Sequence, residues 1–322
     1  MSDSAVVARE LRKTYTRAGS TFHAVDGISF EFPSSGVYGL LGPNGAGKST
    51  TLEMIAGLRK PDGGSIRVLG LDPFTDRGAI TRRVSIQPQK AALFQHQTVL
   101  ELLQTWAAFY PDARKADEVV ETLDLGQSAH TRVAKLSGGQ TQRLLIGASI
   151  ISSPDVLILD EPSAGLDPNA RDDLWRVIRS EGARGATVIL STHSMEEAEA
   201  LCEFLVIVNE GTIVASGTPH GLISEYVTGS EIYFDISRTR FGELQEHPEV
   251  METATSIAGT DSGSRTAVIV ETSHSDRFLE RLMGSPLAAD VQNLKMGSAG
   301  LDSVFRKVAG RELDDEGRVS DR

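Results

Sequence analysis

Three glycines, a lysine and two hydroxyls fall within the run GPNGAGKST, residues 42–50. Glycine gives up the most conformational freedom on folding, so its recurrence marks backbone that turns sharply or that a ligand approaches closely. The spacing Gly42-x-x-x-x-Gly47-Lys48-Ser49 is that of a phosphate-binding loop. In such a loop successive N–H groups cradle an anion, the lysine reaches the terminal phosphates and the hydroxyl meets Mg²⁺. Pro43, Asn44, Gly45, Ala46 and Thr50 complete the run and count with it as nucleotide contacts. Further along, VLILDEP sets Asp160 and Glu161 at the end of an apolar stretch. There the first carboxylate suits Mg²⁺ and the second suits polarising an attacking water. Without the phosphate loop upstream, the same pair reads as two solvated acids. A third feature, LSGGQ at residues 136–140, opens an apolar helix with Ser137, Gly138 and Gly139. It forms a second anion-binding helix end in one chain.

These residues need elements to hold them. GVYGLL (36–41) reads as a short buried strand and TTLEMIAGL (50–58) as a helix, which gives the strand, loop and helix order that a phosphate site requires. VSIQPQ, VLILDEP and ATVILSTHS each read as an apolar strand ending in polar residues. Fully apolar strands suit a parallel sheet covered on both faces, with ligands at the strands' C-terminal ends. Between Leu93 and Thr131 the pattern turns helical, with TVLELLQTWAAFY and ADEVVETLDL, and predicts an inserted helical subdomain. After GTPHGLISEYVTGS (217–230) the character changes again. EIYFDIS and TAVIVET alternate like strands, SDRFLERLMG and LDSVFRKVAG look like short amphipathic helices, and a charged, frayed tail is expected after Arg311. No internal repeat is visible.

The 322 residues allow one large domain or a large one plus a small one, and a 40% hydrophobic content supplies a proper core. A formal net charge of −12 argues against a chain whose main task is to neutralise a phosphate backbone. A single cysteine, Cys202, leaves no intramolecular disulfide framework and no multi-cysteine metal site, and predicts a reducing compartment. The opening MSDSAVVARELRK has no apolar core of signal-peptide length. The most apolar runs, LLIGASII and FLVIV, fall far short of the roughly 20 residues needed to span a bilayer. Any membrane role is expected to be peripheral.

At LSGGQ, lying between the phosphate loop and the acidic pair, the sequence resembles the ATP-binding-cassette (ABC) superfamily. The resemblance covers residues 5 to about 225. It implies an α/β fold: a P-loop ABC ATPase cassette with a parallel-sheet core, an N-terminal antiparallel β region and a helical subdomain at about 91–150. The cassette would span 1–225, followed over 226–322 by a small α+β domain with a charged, disordered tail. By the same resemblance Tyr15, in LRKTY, stacks on adenine. Gln89, the second glutamine of QPQ, approaches Mg²⁺ and links the helical subdomain to the nucleotide, with Gln87 its rival by position. Asp167, closing SAGLD, crosses a dimer interface, and His193, in STHSMEEAE, lies near the γ-phosphate.

The implied chemistry is ATP hydrolysis with Mg²⁺. Ser49, Asp160 and Gln89 organise the metal, Glu161 is the general base, and His193 and Gln89 complete the catalytic set. Two cassettes pair head to tail, so that each ATP lies between the phosphate loop of one copy and Ser137, Gly138, Gly139 and Gln140 of the other. Hydrolysis would then remove that bridge and leave like-charged products, so the dimer reopens, a population shift driven by a ligand that prefers one state. The function implied is the ATPase subunit of a transporter, peripheral at the cytoplasmic face of the membrane, driving separate transmembrane permease subunits. LDSVFRKVAGREL is similar to the tail of daunorubicin-resistance-type exporters of drugs, antibiotics and lipids, from which SAGLD and LSGGQTQR depart slightly. The alternatives are an importer subunit and a soluble ABC ATPase acting on ribosome or DNA. One phosphate loop, one LSGGQ and no sustained heptads weigh against the soluble kind, so no nucleic-acid partner is expected. Leu93, Phe94, Trp106, Phe109 and Tyr110 either line a groove for the permease or belong to the core.

Overall fold

Two long strands, β1 (Ser4–Arg17) and β2 (Ser20–Pro33), pair as an antiparallel hairpin at the start of the chain. There follow β3 (Gly36–Leu41), α1 (Lys48–Ile55), β4 (Gly63–Val68), α2 (Arg77–Arg83), β5 (Val84–Gln87) and three helices, α3 (Val99–Ala107), α4 (Ala116–Thr122) and α5 (Gly138–Ile150). Then come β6 (Val156–Asp160), α6 (Pro168–Ala183), β7 (Thr187–Thr192), α7 (Met195–Leu201), β8 (Phe204–Asn209) and β9 (Thr212–Gly217). The computed structural model describes residues 4–17, 19–89, 92–227, 229–298, 300–309, 312–313 and 319–320. Most of the tail expected after Arg311 lies outside them. The chain divides into two compact units at Pro219/His220.

In the first unit a six-stranded sheet runs β5-β6-β7-β3-β8-β9, parallel throughout except for β9, which returns antiparallel to β8. Every position of β3, β6 and β7 is buried, in keeping with their largely apolar sequences in a sheet covered on both faces. A second sheet, β2-β1-β4, is antiparallel, the region expected from the resemblance. Helix α1 packs against β2 and β4 of this sheet and against β6 and β7 of the other. Phe32, Leu52, Met54, Ile55, Ile66 and Val68 fill the resulting core.

Helices α3, α4 and α5 pack on one another and form the helical insert. Thr98 starts α3 with a capping box, its hydroxyl accepting from the Glu101 N–H while the Glu101 carboxylate accepts from the Thr98 N–H. Gly147 lets α5 approach α4, since a Cβ there would collide with Leu123 Cδ1. Arg114, just ahead of α4, donates to Glu181 of α6 at 2.7 Å and to Thr122 Oγ1 at 2.9 Å, with both charged side chains almost wholly buried. Of the five residues weighed between groove and core, Phe94 and Phe109 are exposed, while Leu93, Trp106 and Tyr110 are partly buried.

The second unit begins with most of α8 (Pro219–Tyr226) and continues as β10 (Ser230–Ser237), α9 (Arg238–Glu246), α10 (Pro248–Met251), β11 (Ser256–Ser262), β12 (Arg265–Thr272), α11 (Ser275–Gly284), β13 (Gln292–Ser298) and α12 (Leu301–Ala309). Its antiparallel sheet runs β11-β12-β10-β13, and Ile232, Phe234, Val268, Val270, Phe278 and Leu282 form a separate core. The sequence pattern marks β10, β12, α11 and α12. It does not show β13, an edge strand exposed along most of its length, because an unburied strand has no apolar alternation to display.

The Arg114–Glu181 pair joins the helical insert to the sheet-covering helix α6. Glu181→Ala leaves a buried guanidinium without its carboxylate, which costs about 3–5 kcal/mol. Both tryptophans, Trp106 and Trp175, lie in the first unit, so a urea titration followed by their fluorescence is expected to show that loss as a lower midpoint. An unchanged midpoint would refute the pair's role.

Candidate active site

Parallel pairing sets Leu41 of β3 opposite Thr192 of β7, and Asp160 of β6 opposite Ser191 of β7. The C-terminal ends of three buried strands therefore share one edge of the sheet, where ligands of such sheets bind. The phosphate loop leaves β3 at this edge and enters α1 through Gly47, whose φ of 102° favours glycine. A Cβ at Gly47 would collide with the carbonyl oxygen of Ala24, and one at Gly42 with that of Val208, so both glycines are also required by close approach. Asn44 and Gly45 are exposed, while Gly42, Pro43 and Ala46 are buried beneath them. Thr50 is partly buried in the first turn of α1.

Lys48 is buried, its Nζ donating to the carbonyl oxygens of Gly42 at 2.7 Å and Pro43 at 3.1 Å and lying 3.3 Å from Glu161 Oε1. Burial pushes this ammonium below the ordinary lysine value, against the opposing pull of Glu161. Glu161 meets His193 on its other oxygen, with Nδ1 2.8 Å from Oε2. Burial alone would raise the Glu161 carboxyl, but the His193 hydrogen bond and the Lys48 charge outweigh it and leave the group below its ordinary value. Glu161 also adopts φ 50°, a left-handed conformation that costs a non-glycine residue about 1–3 kcal/mol and persists only where the surroundings enforce it. Its N–H donates to Ser191 O at 3.2 Å and Ser191 Oγ at 3.0 Å.

Ser49 Oγ donates to Asp160 Oδ1 at 3.1 Å, and Ser191 Oγ donates to the same oxygen. A hydroxyl and a carboxylate side by side are hard oxygen donors of the kind that Mg²⁺ takes in small number beside substrate phosphates. Among the described residues no cluster of three or more acidic, histidine or cysteine side chains could hold a metal ion by itself. The loop fits phosphate equally well, with Gly42 and Gly47 admitting no Cβ and a buried ammonium whose partners include loop carbonyls.

The other expected residues stand apart from this cluster. Gln89 is exposed, two positions beyond β5, and makes none of the contacts joining Ser49, Asp160 and Glu161, while its rival Gln87 is buried with Oε1 unpartnered. Tyr15 lies across the hairpin from Phe22, their rings stacked at 5.7 Å, with the Arg59 guanidinium 5.4 Å from the Tyr15 ring centre. Ser137 caps α5. Its hydroxyl accepts from the Gln140 N–H at 3.3 Å and its own N–H donates to Gln140 Oε1 at 3.0 Å. Gly138 is exposed at the start of that helix, and Gly139 lets it approach α6, since a Cβ would collide with Ala170. Asp167 is the N-cap of α6, accepting from the Ala170 N–H at 3.0 Å.

Ser191 is a site residue that sequence reasoning missed. The visible signal was its place in STH, where a buried strand turns polar beside His193. Nothing local marks Glu197 or Gln142, which reach the turn after Glu161 from distant elements. No described helix is long and apolar enough to cross a membrane.

Residues 25–164 match the ABC transporter family. The chain is 35% identical over 303 residues to the daunorubicin/doxorubicin resistance ATP-binding protein of Streptomyces peucetius, covering 91% of this chain and 89% of that one. It is 36% identical over 325 residues to the Nod factor export ATP-binding protein I of Paraburkholderia xenovorans, covering 98% and 100%. Among solved structures, a dimeric ATP-binding cassette bound to ADP and phosphate superposes with a TM-score of 0.60 at 23% identity, over 66% of this chain and 98% of that one. A cassette from Clostridium perfringens, part of an ABC transporter complex, gives 0.59 at 26% identity, over 69% and 92%. With the cassette fold, its phosphate loop and relatives aligned along nearly the whole length, the chain belongs to the ATP-binding proteins of ABC transporters.

Proposed function

We propose that this chain is the ATP-hydrolysing subunit of an ABC exporter and that the residues gathered around β3, β6 and β7 are its catalytic centre. The observation that carries this reading is the convergence of Lys48, Ser49, Asp160, Glu161 and His193 on one edge of the sheet. Backbone N–H groups from Gly42 to Gly47 cradle the phosphates of ATP, and Lys48 neutralises the β- and γ-phosphates. Ser49 and Asp160 hold Mg²⁺, with Gln89 as a third ligand. Bound there, the ion would offset the charge of the phosphate oxygens and favour attack at phosphorus. Glu161 accepts the proton of the attacking water, while His193 keeps its second oxygen oriented. When the Lys48 ammonium turns from Glu161 to phosphate, the carboxyl loses one of the charges that depress it and becomes a better base.

Tyr15 stacks on adenine. Two copies pair head to tail, with Ser137, Gly138, Gly139, Gln140 and Asp167 of each completing the site of the other, and the exposed N-terminal end of α5 supports this arrangement. A like-folded cassette is dimeric with ADP and phosphate, which supports it further. Separate transmembrane permease subunits are the partners, at the cytoplasmic face of the membrane. Exposed Phe94 and Phe109, the latter packed on Trp106 at 5.8 Å between ring centres, offer them an apolar surface. Relatives named for drug resistance and for Nod factor export support export over import. They also favour a transporter over action on ribosome or DNA.

Glu161→Gln is expected to keep ATP affinity, to lose about 10²–10⁴-fold in kcat and to accumulate an ATP-bound dimer visible by light scattering. Normal turnover would remove Glu161 from the role of base. Lys48→Ala is expected to weaken ATP binding by about 10–100-fold in calorimetry, from the loss of a charged hydrogen bond to phosphate. Unchanged affinity would count against the cradle. Pull-down of the Glu161→Gln protein with ATP from a detergent extract is expected to bring a polytopic membrane protein, identified by mass spectrometry. Ribosomal proteins or nucleic acid without a membrane chain would overturn transport and leave the ATPase chemistry standing.

A further inference from the structure

The strained backbone of Glu161 has to be held from both sides. Ahead of it, the strand and Ser191 fix its N–H. Behind it come Pro162, which offers no N–H of its own, and Ser163. Each of these two residues is tied by one short hydrogen bond to a different helix. The Pro162 carbonyl accepts from Gln142 Nε2 of α5 at 2.6 Å, and Ser163 Oγ donates to Glu197 Oε1 of α7 at 2.6 Å.

Glu197 is 1% exposed, and the donors around its carboxyl are uncharged: Ser163, the Trp175 indole at 3.1 Å and the Thr192 hydroxyl. A buried carboxyl whose described donors are all uncharged is an unfavourable way to fill a core. What it gains is geometry. Ser163 belongs to the turn after Glu161, Thr192 directly precedes His193, and Trp175 lies on α6, so one carboxyl ties together the segments that carry Glu161 and His193. We propose that Glu197, through Ser163, and Gln142, through the Pro162 carbonyl, are positioning residues for ATP hydrolysis, locking the turn that aims Glu161 at its water. The proposal rests on Glu161 being the general base.

The test is steady-state ATPase kinetics, with ATP affinity measured separately by calorimetry. Glu197→Ala is expected to lower kcat by about 10–100-fold, as small misplacements of a catalytic group do, with ATP affinity unchanged. Glu197→Gln keeps the acceptor oxygen and is expected to recover most of the rate. Ser163→Ala is expected to lose rate in the same way, and its combination with Glu197→Ala to lose no more than Glu197→Ala alone, because the Ser163 hydrogen bond is among those that Glu197→Ala already removes. Gln142→Ala is expected to lower kcat independently. Wild-type kcat in Ser163→Ala and Gln142→Ala would overturn the proposal, and these two variants decide it should Glu197→Ala fail to fold. Glu161→Gln run alongside separates the two readings. If it is inactive while the other variants turn over normally, only the positioning role falls; if it turns over normally, the base and this inference fall together.

Discussion

The in-register parallel pairing of β6, β7 and β3 is the constraint on which the rest of this cassette depends. Hydrogen bonding along the three strands sets Leu41, Asp160, Ser191 and Thr192 at one edge of a sheet whose faces are closed. A slip of one residue in β6 would turn the side chain of Asp160 to the other face, away from Ser49. Burial on both faces makes such a slip costly, because every strand residue would have to be repacked. The sheet thus serves as core and as ruler for the chemistry.

One buried ammonium faces two buried carboxylates, and burial disfavours the charged form of Lys48 while Glu161 favours it. The ammonium's other partners are carbonyl oxygens of its own loop. A polyanion in the glycine cradle can replace those carbonyls with charged oxygens, which are stronger acceptors in a low-dielectric site. Binding then rearranges the partners of Glu161 as well, because Lys48 is one of the groups that hold its carboxyl ionised. Occupancy of the phosphate loop and the basicity of the Glu161 carboxylate are coupled through a single salt bridge.

The second unit follows different physics. It has its own antiparallel sheet and core, and its buried Glu231 is paired with Arg306 of α12 at 2.7 Å. Burial would raise the Glu231 carboxyl, but its hydrogen bonds from Ser303 and Tyr233 and the Arg306 charge leave it below its ordinary value. The charged hydrogen bond from partly exposed Arg306 to buried Glu231 adds a directional contact to the apolar packing of α12.

The sequence by itself determined what depends on local spacing. The phosphate loop, the acidic pair and LSGGQ were legible because each works within one short run, and β3, β6 and β7 were legible because strands buried on both faces carry a largely apolar run. It also supplied the family's expectation for Gln89, a residue that the fold leaves exposed and outside the cluster around Asp160. Tertiary structure alone decided which distant residues meet. Ser163 and Glu197 are 34 positions apart, Gln142 and Pro162 are 20 apart, and no periodicity links either pair. The strain at Glu161 belongs to the same class, since a backbone conformation that a residue disfavours is imposed by neighbours from other elements rather than written in its own run.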